Sequence, residues 1–365
     1  MKKITVLVDI YYLKAAVAGI GSYIREFEAS SSDHGSDDIN YVFSHDINKL
    51  VGNTIFLNSN NRIIRWIFQI RYLIYKQVKL PLKILFSKAD YIICPDYVAP
   101  LITFNAKRIT VLHDSLFWDQ KNNYSVLWRK YFTSLINLGM NSKTQIVTTS
   151  NYSKNNLIKI FRNNRNINFV YQSFNFHKTT SSNYKTPENY LLHIGSFEKR
   201  KDLITLVKAF KLVKDDSLKL VLAGAQIING NSVILDEIKT FIFQNKLENK
   251  VILAGYVSKA EASLLYKNAS LYVFPSLDEG FGIPILEALS FSLPVICSDI
   301  DIFKEVGGDC VEYFKVGDSI SLSKKIISVL DSDKLRQNDN TKHINKFSRK
   351  NFINGFERII LDSND

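Results

Sequence analysis

The sequence contains few cysteines and no long apolar run. Its three cysteines, Cys94, Cys297 and Cys310, are widely spaced among 365 residues and show no metal-ligand pattern. An odd, scattered set argues against a disulfide framework and indicates a reducing cytosol. No stretch of about 18 uninterrupted apolar residues occurs, so we predict no transmembrane helix. The sequence also has no internal repeat and no low-complexity segment.

Acidic side chains are scarce in the first half of the chain. Residues 1–175 hold 22 Lys and Arg against 11 Asp and Glu, whereas residues 176–365 hold 25 against 24. Nearly all of the net charge of +12 therefore lies in the first half. Such asymmetry indicates an anionic partner: nucleic acid, an anionic membrane or an anionic substrate. No nucleic-acid recognition motif accompanies the charge, so we expect no nucleic-acid partner.

The first ten residues resemble the start of a signal peptide, because two lysines precede an apolar run. However, Asp9 interrupts the run and no small-residue cleavage site follows. The segment therefore predicts a first buried strand.

Strand and helix patterns alternate along the chain, and its length suggests two domains. In the first half, strands are predicted at 4–8, 41–43, 54–57, 91–94, 109–112 and 146–149, with polar loops at 29–40 and 58–62. In the second half, strands are predicted at 190–195, 218–224, 251–255, 271–274 and 293–298, and helices at 202–214, 233–246, 258–268 and 347–360. This alternation predicts an α/β protein with parallel sheets covered on both faces. The polar segment 178–187, which ends in proline, is the best linker.

The most informative motif is two glutamates eight positions apart, Glu279 and Glu287, around a Gly-Phe-Gly turn. Pro284 suits the first turn of a helix, and the glycines allow a ligand to approach the backbone. The free amides of a helix N-terminus can bind phosphate. Because a strand pattern precedes the motif, the acids are expected at the carboxyl end of a strand, where open α/β sheets bind ligands. The segment predicts a phosphate cradle flanked by two hydroxyl-binding acids, although a solvated loop and helix would show the same spacing.

A second motif, Arg200-Lys201, follows a predicted strand and precedes a helix. Two adjacent cations at such a junction can neutralise a diphosphate, with Arg forming forked hydrogen bonds and Lys acting as a point charge. In isolation, the run would be interpreted as a solvated surface patch.

Three further motifs are weaker. Gly19 and Gly21 precede a predicted helix, where backbone amides can face a phosphate, but a plain turn explains them equally well. His113 and Asp114 end an apolar strand, a place where a histidine is often structural. Ser150 or Asn151 is expected to cap the next helix.

Taken in order, these motifs resemble the retaining glycosyltransferases of family 4, whose GT-B fold has two Rossmann-like, doubly wound parallel-sheet domains facing a central cleft. The resemblance covers essentially the whole chain. It implies a domain at 1–177 that binds the acceptor, a domain at 188–345 that binds the donor, and a helix at 346–365 that crosses back to the first domain.

The resemblance also implies roles for individual residues. Arg200 and Lys201 would bind the donor diphosphate, and Ser196 stands where some members carry a further Arg. Glu279 would hold the hydroxyls of the donor sugar and Glu287 those of the ribose. The remaining expected contacts are His113 near the donor sugar and the backbone of Gly280, Phe281, Gly282, Gly19 and Gly21 near the sugar or phosphate.

The implied activity is transfer of a hexose, with mannose from GDP-mannose favoured, to a lipid-linked oligosaccharide in bacterial O-antigen or capsule synthesis. We expect no cofactor and no obligatory metal, since Arg200, Lys201 and helix N-termini can neutralise the leaving diphosphate. Asp299 and Asp301 have the Asp-x-Asp spacing of metal-dependent enzymes, but we interpret them as a capping turn. Alternatives are a non-catalytic nucleotide-sugar-binding subunit, a phosphorylase or a sugar epimerase.

The segment 61–88 predicts a peripheral location on the anionic inner face of the cytoplasmic membrane. It carries seven basic residues, no acids and five aromatic residues, and such residues favour anionic interfaces. The alternative is a helix packed on the sheet through one apolar face, formed by Ile63, Ile67, Ile70 and Ile74. Both can hold, because the cations Arg62, Arg65 and Lys76 are expected to point away from that face.

Overall fold

A computed structural model describes residues 3–15, 19–51, 62–119, 126–140, 144–161, 166–174, 183–224, 233–332 and 339–362. The chain divides into two compact units. Residues Met1–Ser173 and Phe347–Asp365 form the first unit, and Phe174–Lys346 form the second.

The first unit contains a sheet of six parallel strands. They are β1 (Ile4–Val8), β2 (Ile39–Phe43), β3 (Tyr91–Cys94), β4 (Lys107–Leu112), β5 (Gln145–Thr148) and β6 (Ile167–Phe169). The helices are α1 (Ile20–His34), α2 (Ile47–Val51), α3 (Arg62–Ile74), α4 (Leu80–Ser87), α5 (Leu116–Asp119), α6 (Val126–Gly139) and α7 (Asn151–Ile160). The strand order β2-β1-β3-β4-β5-β6 reverses direction between β1 and β3. The strand predicted at 54–57 and all but the last residue of the loop predicted at 58–62 lie outside the described residues.

The second unit contains another sheet of six parallel strands. They are β7 (Tyr190–Ile194), β8 (Lys219–Ala223), β9 (Val251–Gly255), β10 (Leu271–Phe274), β11 (Val295–Ser298) and β12 (Glu312–Phe314). The helices are α8 (Leu203–Leu212), α9 (Val233–Gln244), α10 (Lys259–Asn268), α11 (Ile283–Ser290), α12 (Asp301–Gly307), α13 (Ser319–Leu330) and α14 (Thr341–Ile344). The order β12-β11-β10-β7-β8-β9 reverses between β7 and β10. The prediction of doubly wound parallel sheets is confirmed.

The last helix, α15 (Arg349–Leu361), belongs to the first unit. It packs along α1, and Phe352 and Phe356 are buried against Phe27. At its start, the Arg349 guanidinium donates to the Glu26 carboxylate at 2.9 Å. Apolar burial and an ion pair therefore hold α15 on α1.

The prediction of a loop at 29–40 was wrong for its first six residues, which continue α1 to His34, and for its last two, which begin β2. Two of the three serines in this segment bond within the helix: Ser30 Oγ donates to the Glu26 carbonyl at 2.5 Å, and Ser31 Oγ donates to the Glu28 carbonyl at 2.9 Å. Hydroxyl groups that bond the preceding turn are compatible with a helix. In the described ranges, no helix is both long enough and apolar enough to cross a membrane.

The orientation expected for α3 was also wrong. Its isoleucines are exposed, with Ile63 at 67%, Ile70 at 51% and Ile74 at 49% of their accessible surface. Two aromatic residues, Phe68 and Tyr72, pack into the core instead. The apolar face predicted to contact the sheet is therefore solvent-exposed.

Lys76, predicted to point outward, is completely buried. Its Nζ lies 2.6 Å from Asp9 Oδ2 and 2.6 Å from Asp96 Oδ1. Asp9 follows β1 and Asp96 follows β3, the two strands at the reversal point of the first sheet. Because a buried ammonium group needs charged partners, this pair of carboxylates draws Lys76 inward and rotates the helical segment accordingly. The side chains of Arg62 and Arg65 lie outside the described set.

Candidate functional site

The Glu279 carboxylate lies between two cations in the second unit. Arg200 Nη1 is 2.7 Å from Glu279 Oε2, and Lys201 Nζ forms an ion pair with Oε1. Ser276 Oγ donates to the same oxygen at 3.0 Å. Glu279 and Lys201 are buried, whereas Arg200 is partly exposed. The structure thus brings together three residues that the sequence analysis assigned to one site.

The topology of the second sheet explains this meeting. Arg200 and Lys201 follow β7, Glu279 follows β10, and these strands are neighbours at the reversal point. The Leu277 amide donates to the Arg200 carbonyl at 2.7 Å, which links the two loops. The crevice at such a reversal point is the usual ligand site of open α/β sheets.

The electrostatics of this cluster favour an ionised carboxylate. Burial raises the pKa of the Glu279 carboxyl, but the charges of Lys201 and Arg200 outweigh burial and hold that pKa below its ordinary value. Glu198, which the sequence analysis did not single out, accepts from Arg200 Nε at 2.8 Å and from Ser196 Oγ. The four charged groups sum to zero. An incoming anion would compete with Glu198 and Glu279 for Arg200 and Lys201.

The glycine turn leads directly into α11. Gly282 has φ of +106°, and a Cβ at this position would lie 3.1 Å from the Phe303 ring. A residue with a side chain would therefore be strained here. The Phe281 side chain is buried, so a contact between Phe281 and a ligand would use its backbone.

Glu287 lies on α11 and has a different partner. Its Oε2 accepts from the Tyr266 hydroxyl at 2.9 Å, and burial raises the pKa of Glu287 to about 7. The two acids of the motif therefore differ: cations keep Glu279 ionised, whereas Glu287 sits beside a neutral hydroxyl. The sequence signal could not identify Tyr266, because it comes from α10.

His113 lies at the end of β4 in the first unit. Its Nε2 is 2.7 Å from the Pro95 carbonyl oxygen, and its ring is nearly perpendicular to that of Tyr23, with 4.7 Å between the two ring centres. Burial lowers the pKa of His113 to about 4, so the imidazole is neutral at neutral pH. The Thr149 hydroxyl donates to the His113 backbone carbonyl at 2.9 Å. Neighbouring loops thus fix both the ring and the backbone of His113.

The remaining predicted residues have simpler environments. Gly19, with φ of +57°, is the N-cap of α1, whereas Gly21 is buried inside the helix and does not precede it as predicted. Ser150 caps α7 by accepting from the Ser153 amide at 3.0 Å.

The capping turn predicted at Asp299 and Asp301 was wrong. The N-cap residue of α12 is Ile300, without a side-chain hydrogen bond, and Asp299 pairs with Lys304 at 2.6 Å. Across the described parts of both units, no group of three or more His, Cys, Asp or Glu side chains is placed to hold a metal ion.

Comparisons with known proteins agree with this geometry. Residues 177–345 match the family model described as glycosyl transferases group 1. The O-antigen chain mannosyltransferase RfbU of Salmonella typhimurium is 32% identical over 183 residues, which cover 50% of this chain and 50% of that protein.

A second relative, from Campylobacter jejuni, is the N-acetylgalactosamine-N,N'-diacetylbacillosaminyl-diphospho-undecaprenol 4-alpha-N-acetylgalactosaminyltransferase. It is 26% identical over 229 residues, which cover 60% of this chain and 58% of that protein. The chain therefore matches only 50% to 58% of the length of these two relatives. Among solved structures, HepE of Anabaena in complex with UDP and glucose has a TM-score of 0.70 at 15% identity, covering 98% of this chain and 100% of that chain. This likeness shows the GT-B fold.

Proposed function

We propose that this member of the group 1 glycosyltransferases transfers a hexose from a nucleotide-sugar to a lipid-linked oligosaccharide, with retention of anomeric configuration. The observation that carries the proposal is the Glu279 carboxylate held between Arg200 and Lys201 at the reversal point of the second sheet. The crevice holds two cations that can bind a diphosphate and a carboxylate that can accept hydrogen bonds from sugar hydroxyls. Such a site suits a ligand in which a diphosphate is joined to a sugar.

In this proposal, Arg200 and Lys201 move from the carboxylates to the donor diphosphate and neutralise the charge that develops on the leaving group. Glu279, released from its cations, accepts hydrogen bonds from hydroxyls of the donor sugar. The backbone amides of Gly280 to Gly282 face the sugar or phosphate. Glu287 binds the ribose hydroxyls, in exchange for the hydrogen bond from Tyr266 that it now accepts.

The chemistry needs no separate general base on the protein. The acceptor hydroxyl attacks the anomeric carbon from the face that the diphosphate leaves, and an oxygen of the leaving phosphate takes the proton of that hydroxyl. The anomeric configuration is therefore retained. His113, which is neutral at neutral pH, positions the donor sugar by hydrogen bonding. Arg200 and Lys201 supply the positive charge that a metal supplies in other enzymes, so we propose activity without an obligatory metal.

We propose a mannosyl donor, GDP-mannose, and a role in O-antigen or capsule synthesis. The support is the likeness to an O-antigen chain mannosyltransferase. The test is a thermal-shift panel of GDP-, UDP- and dTDP-sugars followed by a transfer assay with the stabilising donor, because a ligand that binds the folded state raises its stability, and more so the tighter it binds. Stabilisation by no nucleotide-sugar would contradict the proposal. Stabilisation without transfer to any lipid-linked acceptor would instead support a non-catalytic nucleotide-sugar-binding subunit.

We further propose that the first unit docks on the inner face of the cytoplasmic membrane through α3. The isoleucines of α3 are exposed, and Trp66 exposes 70% of its surface. Exposed apolar patches mark interaction surfaces, and Trp favours the membrane interface. The likeness to an enzyme named for a diphospho-undecaprenol substrate supports a lipid-linked acceptor at this surface.

A further inference from the structure

A cationic cavity lies in the first unit, beside the exposed face of α3. It has a volume of about 510 Å³. Its lining includes four cations, one imidazole and one phenol: Lys14, Arg71, Lys79, Lys83, His45 and Tyr11. Among the residues that the structure describes, no Asp or Glu lines this cavity. The volume falls within the range of about 300–1,000 Å³ that is usual for small-ligand sites.

The four cations lack counter-charges in the described part of the chain. None of them forms a salt bridge with a described carboxylate. Lys83 donates to the Ser44 carbonyl, and Lys14 lies 4.7 Å from the centre of the Tyr11 ring. Like charges gathered without acids repel one another. An anion entering the cavity would relieve this repulsion.

The wall of the cavity is rigidly built. Tyr11 stacks on Tyr75 at 3.9 Å, and the Tyr75 hydroxyl donates to Asp9 at 3.0 Å. Asp9 is itself paired with the buried Lys76. This arrangement holds the aromatic wall in place before any ligand arrives, which lowers the entropic cost of binding.

The pKa of His45 reflects the positive charge around the cavity. Burial lowers the pKa of His45, and the charges of Lys83, Lys14 and Lys79 lower it further, to about 4, against the opposing charge of Asp9. The imidazole is therefore uncharged at neutral pH. It can donate or accept a hydrogen bond without adding a further positive charge to the cavity.

The cavity also borders the exposed isoleucines of α3. Ile74 lines it and belongs to the same helical face as Ile70 and Ile67. Arg71 is three positions before Ile74 and four after Ile67, so its side chain neighbours both. An anion-binding cavity that opens beside an apolar face fits a ligand with an anionic head and an apolar tail.

We propose that this cavity binds the diphosphate of a prenyl-diphosphate-linked acceptor, whose hydrocarbon chain leaves along α3. The inference rests on the proposed function, because it places the lipid-linked acceptor on named residues. A diphosphate joined at both ends carries two negative charges, which the four cations can match. Arg71 offers the forked donor that suits phosphate oxygens.

The test measures binding of farnesyl diphosphate, inorganic pyrophosphate and farnesol to the full chain by isothermal titration calorimetry. Farnesyl diphosphate should bind more tightly than pyrophosphate, and farnesol should bind weakest. The double variant Arg71→Gln/Lys79→Gln should lose roughly tenfold or more in affinity for farnesyl diphosphate, since it removes two charge-assisted contacts. Both residues are exposed, so the fold should survive. Arg71→Lys should retain part of the affinity.

The matched control is Lys88→Gln, an exposed cation of the same segment that does not line the cavity. An equal loss of affinity in this control would indicate a diffuse charge effect and overturn the proposal. Farnesyl diphosphate binding no tighter than pyrophosphate would also overturn it. A third outcome would overturn it as well. In that outcome the protein binds vesicles of phosphatidylglycerol and phosphatidylcholine through Arg71 and Lys79, but it does not bind soluble farnesyl diphosphate.

Failure of this inference is separable from failure of the proposed function. Sugar transfer that persists while the double variant keeps full affinity for farnesyl diphosphate overturns only the cavity assignment. Loss of affinity in the double variant, in a protein that binds no nucleotide-sugar, supports the cavity and overturns only the proposed function.

Discussion

Arg200 Nη1 lies 2.7 Å from Glu279 Oε2, although 78 residues separate the two in the chain. The pair joins the loops after β7 and β10, the two neighbouring strands at which the strand order of the second sheet reverses. Lys201 completes the clamp from the buried side. Arg200, Lys201 and the ionised Glu279 therefore lie together in the crevice where we expect the nucleotide-sugar to bind.

Removing either side of this clamp should abolish most of the activity. Glu279→Ala and Lys201→Ala are each expected to lower turnover by roughly two orders of magnitude or more, because one preorganised charged group typically contributes about 3–4 kcal/mol to transition-state stabilisation. Steady-state kinetics with the donor found by thermal shift measures this effect. Lys304→Ala, which breaks the surface pair with Asp299, is the matched control. Turnover like that of the wild type in both clamp variants, with the protein folded, would refute the site assignment.

Transfer should proceed in excess chelator and retain the anomeric configuration. Arg200 and Lys201 provide the charge neutralisation that the leaving diphosphate requires. Activity with and without EDTA, together with NMR of the product linkage, tests both statements. Loss of activity in EDTA that Mn²⁺ restores would contradict the metal-free mechanism, and an inverted linkage would contradict retention.

Glu287 should make stability depend on pH in a defined direction. Burial raises its pKa to about 7, so between the ordinary carboxyl pKa and about pH 7 the folded state binds more protons at this site than the unfolded state. The contribution of Glu287 to stability is therefore full at low pH and is lost as the pH rises toward and through 7. The melting temperature of the wild type relative to Glu287→Gln should fall between about pH 5 and pH 8. A constant difference over that range would show that Glu287 titrates normally.

Lys76 should be a strong determinant of stability. Lys76→Met leaves Asp9 and Asp96 facing each other in the core without their shared cation, and breaking a buried pair costs about 3–5 kcal/mol. Denaturant unfolding measures the loss. Lys79→Met, at an exposed site three residues further on, should change stability far less. If the two substitutions cost the same, the buried cluster would not contribute as inferred.

The exposed face of α3 should bind anionic membranes. Ile67→Ser/Ile70→Ser is expected to reduce co-sedimentation with anionic vesicles without lowering the melting temperature, because both side chains are exposed. Neutral vesicles provide the comparison, since basic residues contribute about 1 kcal/mol each near anionic lipid. Equal binding to neutral and anionic vesicles would exclude electrostatic docking, and unchanged binding by the double variant would exclude the isoleucine face.

The features that depend on local pattern could be predicted from the order of the amino acids alone. Short apolar runs alternating with helical segments were sufficient to predict two parallel sheets, and Pro284 with its flanking glycines marked the start of α11. Such features follow from backbone conformation and from residues close in the chain. Arg200, Lys201 and Glu279 were assigned to one donor site through the resemblance to the family 4 glycosyltransferases, because each motif taken alone also fits a solvated surface segment.

Which face of α3 is buried depends on contacts between segments that are far apart in the chain. The helix carries apolar residues on two faces, the isoleucines and the aromatic residues Phe68 and Tyr72, so its periodicity fits either orientation. The choice depends on partners distant in sequence: Asp9 and Asp96 are placed together by β1 and β3, and they can be buried only with a cation between them. Lys76 supplies that cation, and its burial turns the isoleucines toward solvent.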